Sequence, residues 1–123
     1  MRIRIVQIAD RGVPNKERLH LAVLRECLLN NYVVFVTSWI SPSLIASHPR
    51  QIFWFPSHPV KAGDQVVLYT GPGNPVTERT PDGTTVHFLH WGLTQTVWNR
   101  PEDCAVLLEL SEWQTTPPDS RTP

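Results

Sequence analysis

The sequence predicts an all-β fold, a two-sheet antiparallel sandwich of about seven strands, on three observations. Apolar and polar residues alternate with period two in short runs. Turn chemistry separates those runs. Proline is abundant, 12 of 123 residues against a usual share of about 5%; each one removes a backbone donor and clashes with a preceding helical turn, so long helices are excluded. The length fits one domain of the common size, roughly 100–200 residues, and 41% hydrophobic against 18% charged residues describes a chain that builds a core.

Residues 2–9 form the first strand. Arg2 and Arg4 oppose Ile3 and Ile5, and the pattern then slips phase to Val6 and Ile8, which predicts a bulge. Arg18–Arg25 competes with a helix, because residues 17–30 are rich in helix formers and Leu21, Leu24 and Leu28 fall at helical spacing. The polar residues do not gather on one face, however, and Leu19, Leu21 and Val23 alternate with His20 and Ala22, so strand is assigned. Asn30-Asn31 tolerates the left-handed region and predicts a sharp reversal into the strand Tyr32–Thr37.

Gln51–Phe55 follows, with the aromatic run Phe53-Trp54-Phe55 facing both ways. Ala62-Gly63-Asp64 turns the chain into Gln65–Thr70, and Gly71-Pro72-Gly73-Asn74-Pro75 makes a stiff loop. Thr80-Pro81-Asp82-Gly83 fits a type I turn before Thr85–Leu89, and Ala105–Leu110 is the last strand. Residues 1–113 are expected as one domain and 114–123, with nothing apolar to bury, as a disordered tail.

The formal net charge is zero, so no overall field draws in nucleic acid or an anionic membrane. The distribution is uneven: Arg2, Arg4, Arg11, Lys16, Arg18 and Arg25 make the start basic, while Glu102, Asp103, Glu109 and Glu112 make the end acidic. The two ends attract if the first and last strands meet. No apolar run approaches the length of about 20 residues that spans a bilayer, and residues 1–30 lack the pattern of a signal peptide. A cytoplasmic protein is expected, with Cys27 and Cys104 as separate buried thiols. Cys27, Trp39 and Cys104 also follow the order of an antibody-type sandwich, in which a bridge would pin two facing sheets.

Five histidines raise the question of a metal. His87 and His90 are three apart in a strand and point to opposite faces, and His48 and His58 precede prolines in loops, so no metal site and no cofactor is expected. Nucleophile-elbow, phosphate-loop and dinucleotide patterns are lacking. A non-catalytic role is therefore expected. The enzymatic alternative is a hydrolase using His87 or His90 with Asp64 or Asp103.

The second half carries a further pattern. The run Phe53-Trp54-Phe55-Pro56 through Lys61-Ala62-Gly63-Asp64 to Val66-Val67-Leu68-Tyr69-Thr70-Gly71, then His90-Trp91-Gly92, Trp98-Asn99 and Asp103-Cys104-Ala105-Val106-Leu107, resembles the lamin tail domain over about half the chain. Thr37-Ser38-Trp39-Ile40 is similar to the family's central strand, while Thr77–Thr85 exceeds its usual loop. The whole chain also resembles small stand-alone bacterial proteins with the same run of segments. The resemblance implies an immunoglobulin-like sandwich and a non-catalytic adhesion or tethering module.

A binding module that recognises another macromolecule, most plausibly a protein, is the expected function. Its interaction surface is assigned to Arg50, Trp54, His90, Trp91, Trp98, Asn99 and Arg100, large rings and arginines in or beside loops. Tryptophan is expensive to expose, so core packing is the competing assignment for the rings. Single-stranded nucleic acid is the alternative partner, since nine of the eleven basic residues are arginine. Unpaired edge strands also permit self-association.

Overall fold

The computed structural model of the chain describes residues 1–119. Alternating residues become strands β1 (Ile3–Ala9), β2 (Arg18–Val23), β3 (Cys27–Leu28), β4 (Tyr32–Ser41), β5 (Leu44–Ile45), β6 (Ile52–Trp54), β7 (Pro59–Val60), β8 (Gln65–Tyr69), β9 (Val76–Arg79), β10 (Thr85–His90) and β11 (Asp103–Glu109). A single 3₁₀ turn, Leu29–Asn31, is the helical structure among the described residues. The protein is all-β. None of its described helices is long and apolar enough to cross a membrane. Of the expected tail, residues 114–119 are exposed and carry neither strand nor helix, and 120–123 lie outside the described residues.

A five-stranded sheet has the order β1-β2-β8-β10-β9. A second sheet runs β11-β4-β5, with β6 also paired to β4, and β3 pairs with β7. Two expectations are corrected. Eleven strands replace seven, because β3, β5, β7 and β9 span only two to four residues and are too short to show alternation. The sheets are also not wholly antiparallel, since β8 and β10 pair in parallel, Gln65 with Val86 through Tyr69 with His90. The cause is β9, which hairpins onto the far edge of β10, so the chain leaves β8, crosses beyond its neighbour's place and returns in the original direction.

The phase slip in residues 2–9 is a bulge at Val6, where pairing with β2 shifts register between Ile5 and Gln7. Residues 18–23 are a strand with alternate residues buried. Leu19 and Leu21 go inward because a period of two, unlike 3.6, puts both on one face. Asn30 and Asn31 do not adopt the left-handed region; the 3₁₀ turn makes the reversal, and Asp10 and Asn15 are the non-glycine residues with positive φ. The two expected turns close as read: Asp64 N–H donates to Lys61 O at 3.0 Å, and Gly83 N–H to Thr80 O at 3.0 Å.

One buried cluster joins the two larger sheets. It contains Ile3, Leu19, Leu21, Val66, Leu68 and Leu89 from the five-stranded sheet and Val34 and Val36 from β4, closed by Tyr32, Phe55, Val60 and Trp98. Glu17, fully buried, ties its rim: one oxygen accepts Val97 N–H at 2.8 Å, the other accepts Gly12 N–H at 2.8 Å and Trp98 N–H at 3.1 Å. Such a buried polar group is tolerable only because its partners are all in place. The start of the chain does meet the last strand, through Arg2 just ahead of β1, although β1 and β11 belong to different sheets. Glu109 Oε2 accepts Arg2 N–H at 3.2 Å and the Tyr32 hydroxyl at 2.8 Å, and the Tyr32 bond holds the Glu109 carboxyl below its ordinary range. The contact uses a backbone amide and a hydroxyl rather than arginine side chains. Cys27 is buried, Cys104 half-buried, and both are free thiols.

Candidate functional site

The expected surface residues separate into four places. Trp98 is fully buried beneath Trp91, with ring centroids 6.1 Å apart, and its assignment to an interaction surface is corrected: the indole fills the core against β4. Trp91 is half-buried and packs on Phe53 at 5.6 Å. His90 lies on the outer face of the five-stranded sheet, stacked on Tyr69 at 5.2 Å. Gly73 crosses over the His90 ring so closely that a Cβ there would lie 2.4–2.7 Å from its atoms.

Arg50, Asn99 and Arg100 come together at a cleft of about 390 Å³, with Val36, Leu93 and Val97 as its apolar lining. Asp103, buried, organises it. Its Oδ1 accepts from Ser38 Oγ at 2.7 Å, Arg50 Nη2 at 3.0 Å and Arg100 Nη2 at 3.3 Å, and its Oδ2 accepts Arg100 N–H at 3.0 Å. Burial would raise the carboxyl's pKa, but these bonds outweigh it and hold the group below its ordinary range. Asn99 closes a turn by donating Nδ2–H to Thr96 O at 2.9 Å.

Trp54 stands on the outer face of the four-stranded sheet, which contains the largest set of residues that sequence reasoning did not assign. Direct pairing builds its rows: Leu108, Val33 and Trp54 in one, Val106, Phe35 and Ile52 in the next, then Trp39 beside Ile45. These alternate with Val34 and Val36, which face the core. Trp113 packs edge-on against Trp54 at 4.8 Å, and Trp54 Nε1–H donates to Asn30 O at 2.8 Å. Ile52 is 59% exposed, Trp54 47% and Leu108 39%, and no charged residue occupies these positions. The signal was present in the sequence, because Tyr32-Val33-Val34-Phe35-Val36 and Val106-Leu107-Leu108 are apolar at both parities. A strand with one wet face reads as an alternation; an unbroken apolar run needs cover on both faces.

His87 is buried rather than at the surface, and it meets Asp64, Nε2 to Oδ2 at 2.9 Å; its Nδ1 lies 2.8 Å from His58 Nε2. His90, on the opposite face, takes no part. With Asp64 accepting from Nε2–H, neutral His87 accepts from His58, so the three groups form a line. The line ends on half-buried His58, with no hydroxyl or thiol in it. Among the described residues no group of three or more His, Cys, Asp or Glu side chains is arranged to hold a metal ion. No protein-family model, curated protein or solved structure matches the chain.

Proposed function

We propose that the protein is a non-catalytic binding module that docks a second protein, one presenting an apolar surface of its own, against the outer face of β4, β6 and β11. The observation that carries this is an exposed sheet face with aromatic and aliphatic side chains in three of its rows, interrupted only by the Thr37–Cys104 pair, and no charge in them. Six exposed large side chains belong to this side: Trp39, Ile45, Ile52, Trp54, Leu108 and Trp113. With roughly 150–250 Å² for each of the three tryptophans and somewhat less for the aliphatic side chains, about half of it exposed, they offer on the order of 500 Å². That lies at the upper end of the largest apolar patch found on a monomer, about 300–600 Å² and often functional, and would form the apolar centre of an interface to which one partner contributes about 800 Å². A face without charge selects a protein over a nucleic acid, whose binding needs cations at phosphates.

The ordered motifs from Phe53 to Leu107 support a lamin-tail-like module with an immunoglobulin-like arrangement of its two larger sheets, and the free thiols fit a reducing, cytoplasmic setting. The test is co-purification from the native host of the wild-type chain and of Ile52→Asp and Leu108→Asp, each checked by circular dichroism. A stoichiometric protein held by the wild type and lost by both variants is the expected result, and sedimentation of the wild type reports whether a second copy fills the face instead. Equal retention by folded variants would sink the proposal.

A further inference from the structure

The cleft at Arg50 and Arg100 has a chemistry that the apolar face does not use. Both guanidinium groups are held by one buried carboxyl oxygen, Asp103 Oδ1, and by Ser38 Oγ. Arg50 applies only Nη2 to these bonds and to Thr37 O at 3.2 Å. Arg100 adds an ion pair from Nε to Glu102 at 3.3 Å. Among the described residues, Arg50 Nε and Nη1 and Arg100 Nη1 are left without a protein acceptor. Both side chains remain open to solvent, 43% and 60% exposed.

Asp103 spends both oxygens inward, so it serves as an anchor for the two forks rather than as an occupant of the cleft. Arg11 lies outside the cleft lining and steadies the same residue, donating Nη1–H to the Asp103 backbone O at 2.8 Å. Two cations, Arg50 and Arg100, thus stand against two carboxyl groups, Asp103 and Glu102, and because both carboxyl groups are already engaged in holding the guanidinium groups, what the cleft offers an incoming group is N–H donors. Guanidinium groups fixed in place lose less conformational freedom on pairing with an anion; with Nη2 of each already bonded to Asp103 and Ser38, Arg50 and Arg100 would each give an oxyanion single charge-assisted bonds, from Nη1 or from Arg50 Nε. Beneath them Val36, Leu93 and Val97 supply an apolar floor, in a volume of about 390 Å³ that is ordinary for a small-molecule site, roughly 300–1,000 Å³.

We propose that this cleft binds the oxyanion end of a small organic acid or phosphate monoester, with Arg50 and Arg100 clasping the anion and the ligand's apolar body lying along Leu93 and Val97. Carboxylate and phosphate share the recognition chemistry, so two probes separate them. The full-length, ¹⁵N-labelled chain is titrated by NMR with benzoate and with phenyl phosphate, and with benzyl alcohol as the uncharged control. Arg100→Gln removes one fork. Gln95→Glu, at a position that lines the cleft and is exposed, adds a repelling carboxylate without removing any bond of the fold.

The expected result is a saturable shift of the Arg50 and Arg100 side-chain signals and of the 94–97 amides with at least one anion, none with benzyl alcohol. Each variant should weaken it by about tenfold or more, as loss of a charged hydrogen bond does. The anion that binds more tightly identifies the ligand class. No saturable shift with either anion, an equal response to benzyl alcohol, or wild-type affinity in either folded variant would overturn the proposal.

Discussion

The carboxyl group of Glu17 accepts the backbone N–H of Trp98 at 3.1 Å, across 81 residues of chain. With Val97 and Gly12 it joins the entry to β2 to the segment that precedes β11. Replacing Glu17 with Ala leaves three backbone donors unpaired, that of Trp98 buried, that of Val97 half-buried and that of Gly12 within reach of water, and each donor shut off from water costs about 1–3 kcal/mol. We expect Glu17→Ala to lose at least about 2 kcal/mol in urea unfolding, and Glu17→Gln to lose nearly as much, since its NH₂ group turns a donor toward donors. A loss under about 1 kcal/mol for Glu17→Ala would show that water takes over these bonds.

His58 supplies a pH dependence. Burial, and next the neighbouring His87, lower its pKa from the ordinary 6.5, so the folded chain favours neutral His58. Its contribution is complete above pH 6.5 and declines as the pH falls from there toward the lowered value. Urea midpoints at pH 7.5 and 5.5 should therefore differ more for the wild type than for His58→Gln. Equal differences would remove His58 from the acid response.

At Gly73 an added methyl group meets the His90 ring at 2.4–2.7 Å, whereas at Gly71 the nearest atom is Asn15 Oδ1 at 3.4 Å. Gly73→Ala must push the His90 ring off Tyr69 and is expected to destabilise by about 1–3 kcal/mol, the range of an overpacked site. Gly71→Ala is the matched control, with a smaller effect. Thermal unfolding of the two variants side by side decides it.

Both thiols should be sluggish nucleophiles. Burial raises the pKa of Cys27, and burial followed by the charge of Asp103 raises that of Cys104. Alkylation by iodoacetamide at pH 7 is expected to run several-fold slower in the folded chain than in urea, because the thiolate is the reacting form. Equal rates for either cysteine would contradict that placement.

Much of the strand content was legible because period two is a direct print of one buried face: Leu19, Leu21 and Val23 announce β2, and the slip at Val6 announces the bulge in β1. The parallel pairing of β8 with β10 was not legible. It depends on β9, four exposed residues whose place at the sheet edge no local pattern specifies. Site residues divided in the same way. Arg50 and Arg100 were found as residue types, but their common anchor is Asp103, and pairing across 53 residues leaves no trace in local spacing. Trp98 looked like a surface ring because composition cannot tell a loop that covers a core from one that projects. The apolar face was overlooked because alternation was sought where its failure, at Val33 and Phe35, was the informative sign.

Pairing of β4 with β11 has a consequence for synthesis of the chain. Tyr32 to Ser38 acquire their neighbours Glu109 to Asp103 only after about 70 further residues have left the ribosome, so at about 5–20 residues per second this apolar strand waits several seconds with one edge open. An open apolar edge is a template for another chain. Production at high concentration or high temperature should therefore favour inclusion bodies over native protein, and slowing initiation, so that nascent chains meet less often, should recover it.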